Sequence, residues 1–170
     1  MPPQRRSIRL PDYDYRWPGA YFVTLVTHNR LPLFGEIRNG DMQFNAAGQM
    51  IDRWWRELPH KYPKIELDAY ILMPTHLHGV IVKPFNAQSN DDVATDVALS
   101  RVMQWFKTMT SNEYIRQVKQ AGWPPFEGRV WQRNYYEHVV RDEADLARIR
   151  QYIADNPAQW ADDEENPHCS

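Results

Sequence analysis

Cysteine is almost missing from this chain: the single one, Cys169, stands one residue from the C-terminus. One thiol gives neither a disulfide framework nor a cysteine-based metal centre. Long apolar runs are missing too, since none approaches the ~20 residues that cross a bilayer. The N-terminus carries no signal-peptide-like apolar stretch, so the chain reads as cytoplasmic with no membrane partner. Glycine is sparse, seven residues in 170, and no P-loop cradle for nucleotide phosphates occurs. A strong charge imbalance is lacking as well. The formal net charge is −2, but Asp162, Asp163, Glu164 and Glu165 crowd residues 161–170, which hold no Lys or Arg. Without that acidic tail the balance turns positive. Arg5, Arg6 and Arg9 form a basic cluster near the start, so a polyanion partner is compatible with the charge pattern.

What the chain does have is aromatic rings, with seven Trp and nine Tyr. That composition and length suit one folded domain over 1–170 with a genuine core. Residues 1–18, rich in Pro and Arg, read as an arm lying over it. Residues 21–27 form a β-branched and aromatic strand. Asn39-Gly40 marks a tight hairpin turn. Asn45 caps a helix carrying Met50, Ile51, Trp54, Trp55 and Leu58, with its end near Pro59. A strand over 65–73 turns at Pro74 into a second, apolar one that ends near Pro84. Residues 85–94 make a polar loop.

A long amphipathic helix follows, with Val97, Leu99, Val102, Met103, Phe106 and Met109 on its apolar stripe. Residues 130–138 read as the last strand. A final helix runs from its cap at Asp142 to Asn156, where Pro157 stops it. Strand, helix, strand, strand, helix, strand is the order of the α+β, ferredoxin-like (split βαβ) sandwich with an antiparallel sheet. Here a hairpin and a C-terminal helix are added.

The chemistry centres on Met73-Pro74-Thr75-His76-Leu77-His78-Gly79. Alternation sends His76 and His78 out of one strand face, about 6.6 Å apart for a rise of ~3.3 Å per residue. Two imidazoles so placed can share one cation, although strand histidines can equally be satisfied by carbonyls or water. Gly79 leaves room for a close approach by backbone or ligand. In the last helix Leu146, Ile149 and Ile153 form the buried stripe, while Tyr152 and Asn156 share another face. Alone, such a tyrosine is a packing residue. Joined to the strand pair, it would stand beside a three-ligand site of His76, His78 and Asn156 with an open coordination position.

The segments MPTHLHGV, WQRNYYEHVVR and IRQYIADNP, in that order, resemble the single-tyrosine HUH transposases of insertion sequences. The resemblance is greatest to their REP-associated tyrosine transposase branch. The opening RRSIRLPDYDYRWPGAYFVTLVTHNRLPLFG is similar to that branch as well, so the likeness covers nearly the whole chain. Thr75 departs from the pattern, which has Asn before the first histidine, and a changed turn hydrogen bond is expected there.

The resemblance implies metal-dependent nicking and strand transfer of single-stranded DNA through a 5′-phosphotyrosine on Tyr152. A phenol of pKa ~10 is about 0.1% ionised at pH 7, a shortfall of ~4 kcal/mol. A cation held by His76, His78 and Asn156 would offset it by polarising the phosphate. Mg²⁺ or Mn²⁺ suits phosphoryl oxygens and the family, while two histidines also suit Zn²⁺. Tyr135 and Tyr136 leave opposite faces of a strand, and neither has Tyr152's helical relation to an amide. His138 reads as a core histidine or as a residue lining the site.

The implied substrate is single-stranded or hairpin DNA, including REP-like palindromes, with Arg5, Arg6, Lys107 and Arg133 as candidate backbone contacts. Nucleoid association, and action as a monomer or homodimer, follow from the same resemblance. Two other functions fit the residues: a non-catalytic nucleic-acid-binding module, and a hydrolytic metallo-phosphodiesterase using water in place of Tyr152.

Overall fold

A computed structural model describes residues 19–84 and 97–169. The expected arm, with Arg5 and Arg6, and the polar loop over 85–94 lie outside the described residues. The elements run β1 (Gly19–Val26), a 3-10 turn (His28–Arg30), β2 (Gly35–Arg38), β3 (Asp41–Phe44), α1 (Ala46–Lys61) and β4 (Glu66–Leu72). After these come β5 (His76–Lys83), α2 (Leu99–Ala121), β6 (Tyr136–Val139), α3 (Glu143–Asp155) and a 3-10 turn (Trp160–Asp162).

The main sheet has the order β4-β5-β1-β6 with every neighbour antiparallel. β1 and β4 thus flank β5 with α1 between them in sequence, which is the split βαβ arrangement. β2 and β3 pair separately as a hairpin. Its turn needs two successive positive φ angles, and Asn39 and Gly40 supply them at 51° and 80°.

Alternation along the strands divides the interior in two. Tyr21, Val23, Leu25, Leu77 and Ile81 face α1 and α2, meeting Met50, Ile51, Trp55, Leu58, Val102, Met103 and Phe106. Phe22 and Val80 face the other way, against Ile149 and Ile153 of α3. The α1/α2 side therefore carries the large core, and the α3 side carries the histidines. Among the described residues no helix is long and apolar enough to cross a membrane.

Three local expectations are corrected. α1 continues through Pro59 to Lys61, because a proline in the last turn forfeits a single helical hydrogen bond. The last strand is shorter than residues 130–138. Trp131 makes only an isolated bridge to Thr27, and the carbonyls of residues 132–134 turn to the ammonium of Lys107 instead of a neighbouring strand. The room at Gly79 is filled by protein, not ligand. A Cβ there would stand 2.4 Å from Cζ2 of the buried Trp55.

Candidate active site

β5 delivers His76 and His78 to the α3 face, fully or almost fully buried, with ring centroids 4.5 Å apart. The register sets His78 opposite Thr24 of β1, and Thr24 Oγ1 lies 2.7 Å from His78 Nδ1. Phe22, two residues earlier on the same face, stacks on the His78 ring at 5.5 Å. Burial, and then the neighbouring His76, push His78 well below its ordinary 6.5. His76 is lowered by burial too, against opposing pulls from Asp163, Asn156 and Glu165. Both rings are therefore neutral near pH 7, the form that can donate a lone pair to a metal.

α3 crosses this face fastened at two places. Asp142 caps its first turn by accepting from Asp145 N–H at 2.7 Å. Asp145 in turn accepts from His138 Nε2 and Arg141 N–H, both at 2.9 Å. Those bonds, Arg141 first, hold the Asp145 carboxyl down at about 2. His138 is thus a half-buried tether between β6 and α3 rather than a core histidine. Further along, Arg150 forks onto Asp68 of β4 at 2.8 and 2.7 Å. Asp68 sits in the register shift between Leu67 and Tyr70.

So anchored, α3 places Tyr152 Oη 3.5 Å from His78 Nε2 and Asn156 Oδ1 3.2 Å from His76 Nε2. All four side chains belong to one chain. Tyr152 is 45% exposed. Burial, and then Asp163, raise the phenol above its ordinary 10, while Asn156 draws it down. An unassisted Tyr152 is a poorer nucleophile here than in water.

A divalent ion suits this donor set. Metal-bound histidines orient themselves by donating their second ring N–H, and Thr24 and Thr75 stand at the two Nδ1 atoms. That leaves both Nε2 atoms facing the amide of Asn156 and the phenol. The histidines and Asp163 also bring one ligand atom each to within 4.8 Å of one another.

The remaining candidates fall elsewhere. Tyr136 faces the site from the edge, 37% exposed with its ring 6.2 Å from Phe22. Tyr135 is on the opposite side, its ring 5.7 Å from Lys107 Nζ. Lys107 is held by the carbonyls of Gln132, Arg133 and Asn134, and burial, then Arg129, lower it to about 8. Its ammonium serves the loop before β6, and its side chain also lines a neighbouring cavity. Arg133 is exposed beside it, on a cavity of about 300 Å³.

Several participants escaped the sequence reading. Thr24 and Phe22 needed the β1–β5 register, which no local pattern gives. The acidic tail is folded back over the site. Trp160 stacks on His76 at 6.0 Å, Thr75 donates to the Glu165 carbonyl at 2.8 Å, and Arg30 Nε meets the Glu165 carboxylate at 2.7 Å. The changed bond at Thr75 therefore reaches a residue 90 positions away instead of closing the turn.

The fold is thus a split βαβ sandwich with two histidines on a central strand and a tyrosine-bearing helix laid across them. Residues 49–156 match the family described as "Transposase IS200 like", and the chain belongs to that family. An uncharacterized protein of Haemophilus influenzae is 35% identical over 165 residues, covering 94% of this chain and 92% of the relative. A putative REP-associated tyrosine transposase of the same organism is 26% identical over 149 residues, covering 86% and 74%. Among solved structures, a REP-associated tyrosine transposase bound to a REP hairpin superposes with TM-score 0.58 at 20% identity, over 89% of this chain and 73% of that one.

Proposed function

We propose that this transposase-family chain nicks and rejoins single-stranded DNA with Tyr152 as the nucleophile. The observation that carries the reading is the 3.5 Å approach of the Tyr152 hydroxyl to His78 Nε2, beside His76 and Asn156, within one chain. The phenolic oxygen attacks the phosphorus of one phosphodiester, forming a bond to the 5′ phosphate as the 3′ oxygen leaves and takes up a proton. The reverse attack by a 3′ hydroxyl reseals a strand and frees the tyrosine. Bond number is conserved, so no nucleotide is consumed.

Mg²⁺ or Mn²⁺ held by His76, His78 and Asn156 would supply positive charge at the phosphate oxygens, the role such ions fill in phosphoryl chemistry. The chain's own residues do the positioning. Phe22 meets the Tyr152 ring edge-on at 6.2 Å, limiting its swing, and the Arg150–Asp68 fork sets the rotation of α3. Tyr152 opens to solvent on one side, where a strand can be laid down. The likeness to a relative bound to a REP hairpin makes hairpin DNA, REP-like palindromes included, the substrate of choice. Arg5, Arg6, Lys107 and Arg133 are the candidates to meet its backbone.

The test is incubation of end-labelled single-stranded hairpin DNA with the full chain and Mn²⁺, followed by a denaturing gel and peptide mapping. A covalent adduct on Tyr152 is expected, and Tyr152→Phe should abolish it. Cleavage that survives Y152F would mean hydrolysis by water. An adduct on Tyr136 would move the nucleophile to the sheet edge. Binding without cleavage in Mg²⁺ and Mn²⁺ would leave a non-catalytic module.

A further inference from the structure

We propose that Asp163 is an additional ligand of the divalent ion, so that the acidic segment after α3 is part of the metal centre. The proposal rests on the metal reading above, and three observations carry it.

The first is a proton count at His76. Its Nδ1 lies 3.0 Å from Thr75 Oγ1, and that hydroxyl gives its one proton to the Glu165 carbonyl at 2.8 Å. The imidazole must then be the donor to Thr75, which puts a proton on Nδ1, and in the neutral ring Nε2 is left as a bare lone pair. The second is what Nε2 faces. Asn156 Oδ1 stands at 3.2 Å and Asp163 Oδ2 at 3.5 Å. Both are acceptors, so electron pairs converge with no proton between them.

The third is the state of Asp163 itself. Its side chain is 8% exposed. Oδ1 accepts from Glu165 N–H at 2.8 Å, but Oδ2 is buried with no hydrogen-bond donor among the described residues. Such an oxygen is costly to bury alone. Turning the Asn156 amide would give Nε2 a donor and leave Asp163 Oδ2 no better off. A cation in the space shared by His76, His78 and Asp163 satisfies all of them, and a carboxylate is a ligand suited to a hard ion such as Mg²⁺ or Mn²⁺.

The arm that brings Asp163 in is fastened on both sides. Thr75, adjacent to the first histidine, holds the Glu165 carbonyl, and Arg30 holds its carboxylate. The residue at position 75 thus orients His76 and anchors the segment that supplies the carboxylate. Asp163 and Glu165 lie beyond the 49–156 stretch that matches the family.

Asp163→Asn tests it, because asparagine keeps the Oδ1 acceptor and replaces only the orphaned oxygen. Mn²⁺ binding to the full chain is followed by electron paramagnetic resonance of the free ion, and thermal unfolding is followed in EDTA. D163N should weaken Mn²⁺ binding about tenfold or more, since even indirect partners of a bound metal count on that scale. In EDTA it should melt at the same temperature as the wild type or higher, because acceptor-to-acceptor repulsion is relieved. Glu164→Gln, at the exposed neighbour, should leave Mn²⁺ affinity unchanged.

If His76→Ala and His78→Ala bind Mn²⁺ as the wild type does, the metal reading itself falls. If those variants lose binding while D163N keeps full affinity, the Asp163 proposal alone is overturned. It is also overturned if D163N loses affinity and melts lower in EDTA, since the carboxylate would then be a structural fastening.

Discussion

At the scale of single residues, the site depends on shape as much as on chemistry. Gly79 follows His78, and the face it turns away from the histidines is pressed against Trp55. The absent Cβ is what allows β5 to lie so close to that indole, which is itself fully buried. Gly79→Ala must push either the strand or the ring. A cost of ~1–3 kcal/mol is expected, seen as a fall of roughly 2–12 °C in melting temperature for a chain of this size. Because His78 is the preceding residue, Mn²⁺ affinity should fall with it. An unchanged melting temperature would show that Trp55 can give way.

Among elements, α3 matters most, and its orientation is a matter of polar fastening over a small apolar contact. Among the described residues, Ile149 and Ile153 share a small cluster with buried Phe22 and Val80, whereas α1 and α2 share the large core. The Arg150–Asp68 fork therefore does much of the orienting. Arg150→Ala should cost little stability, as for other solvent-screened surface pairs. Its effect on Tyr152-dependent nicking should be larger, because small misplacements of a nucleophile cost rate steeply. A double-mutant cycle with Asp68→Ala isolates the pair, and equal losses in stability and rate would contradict the orienting role. Arg150 holds the Asp68 carboxyl below its ordinary range. That stabilisation is present above about pH 4 and is lost on acidification below it.

For the whole molecule, burying two neutral histidines has a consequence for pH. Both are held below their ordinary 6.5 in the folded state. Between that value and their folded pKa, the unfolded chain binds more protons than the native one. Stability is therefore fully present above about pH 6.5 and falls as the pH drops beneath it. Urea midpoints in EDTA should decline from pH 6.5 toward 5, and His78→Gln should flatten the decline. A wild-type midpoint constant over that range would contradict buried neutral imidazoles. Adding Mn²⁺ at pH 7 should raise the melting temperature, because the ion's donor atoms come together only in the folded chain.

The chain's own periodicities determined a good deal. Alternation in HLHGVIV fixed that the two histidines share a strand face, and the four-residue step in YIADN fixed that Tyr152 and Asn156 share a helix face. The cap residues Asn45 and Asp142 and the Asn39-Gly40 turn set several element boundaries. These are local rules, legible wherever backbone geometry alone places side chains. They lapse where the partner is distant: Trp131 and residues 132–134 satisfy Thr27 and Lys107, so the last strand is cut short. Only tertiary packing decided that the tyrosine face of α3 lies over the histidine face of β5 and that Thr24 and Phe22 sit beneath it. Only packing, too, brought Asp163 and Glu165, two of four consecutive acids without a pattern to tell them apart, back to His76 and Thr75. The reason is physical: spacing along one element says which atoms share a side, but which sides meet depends on the burial of the whole chain.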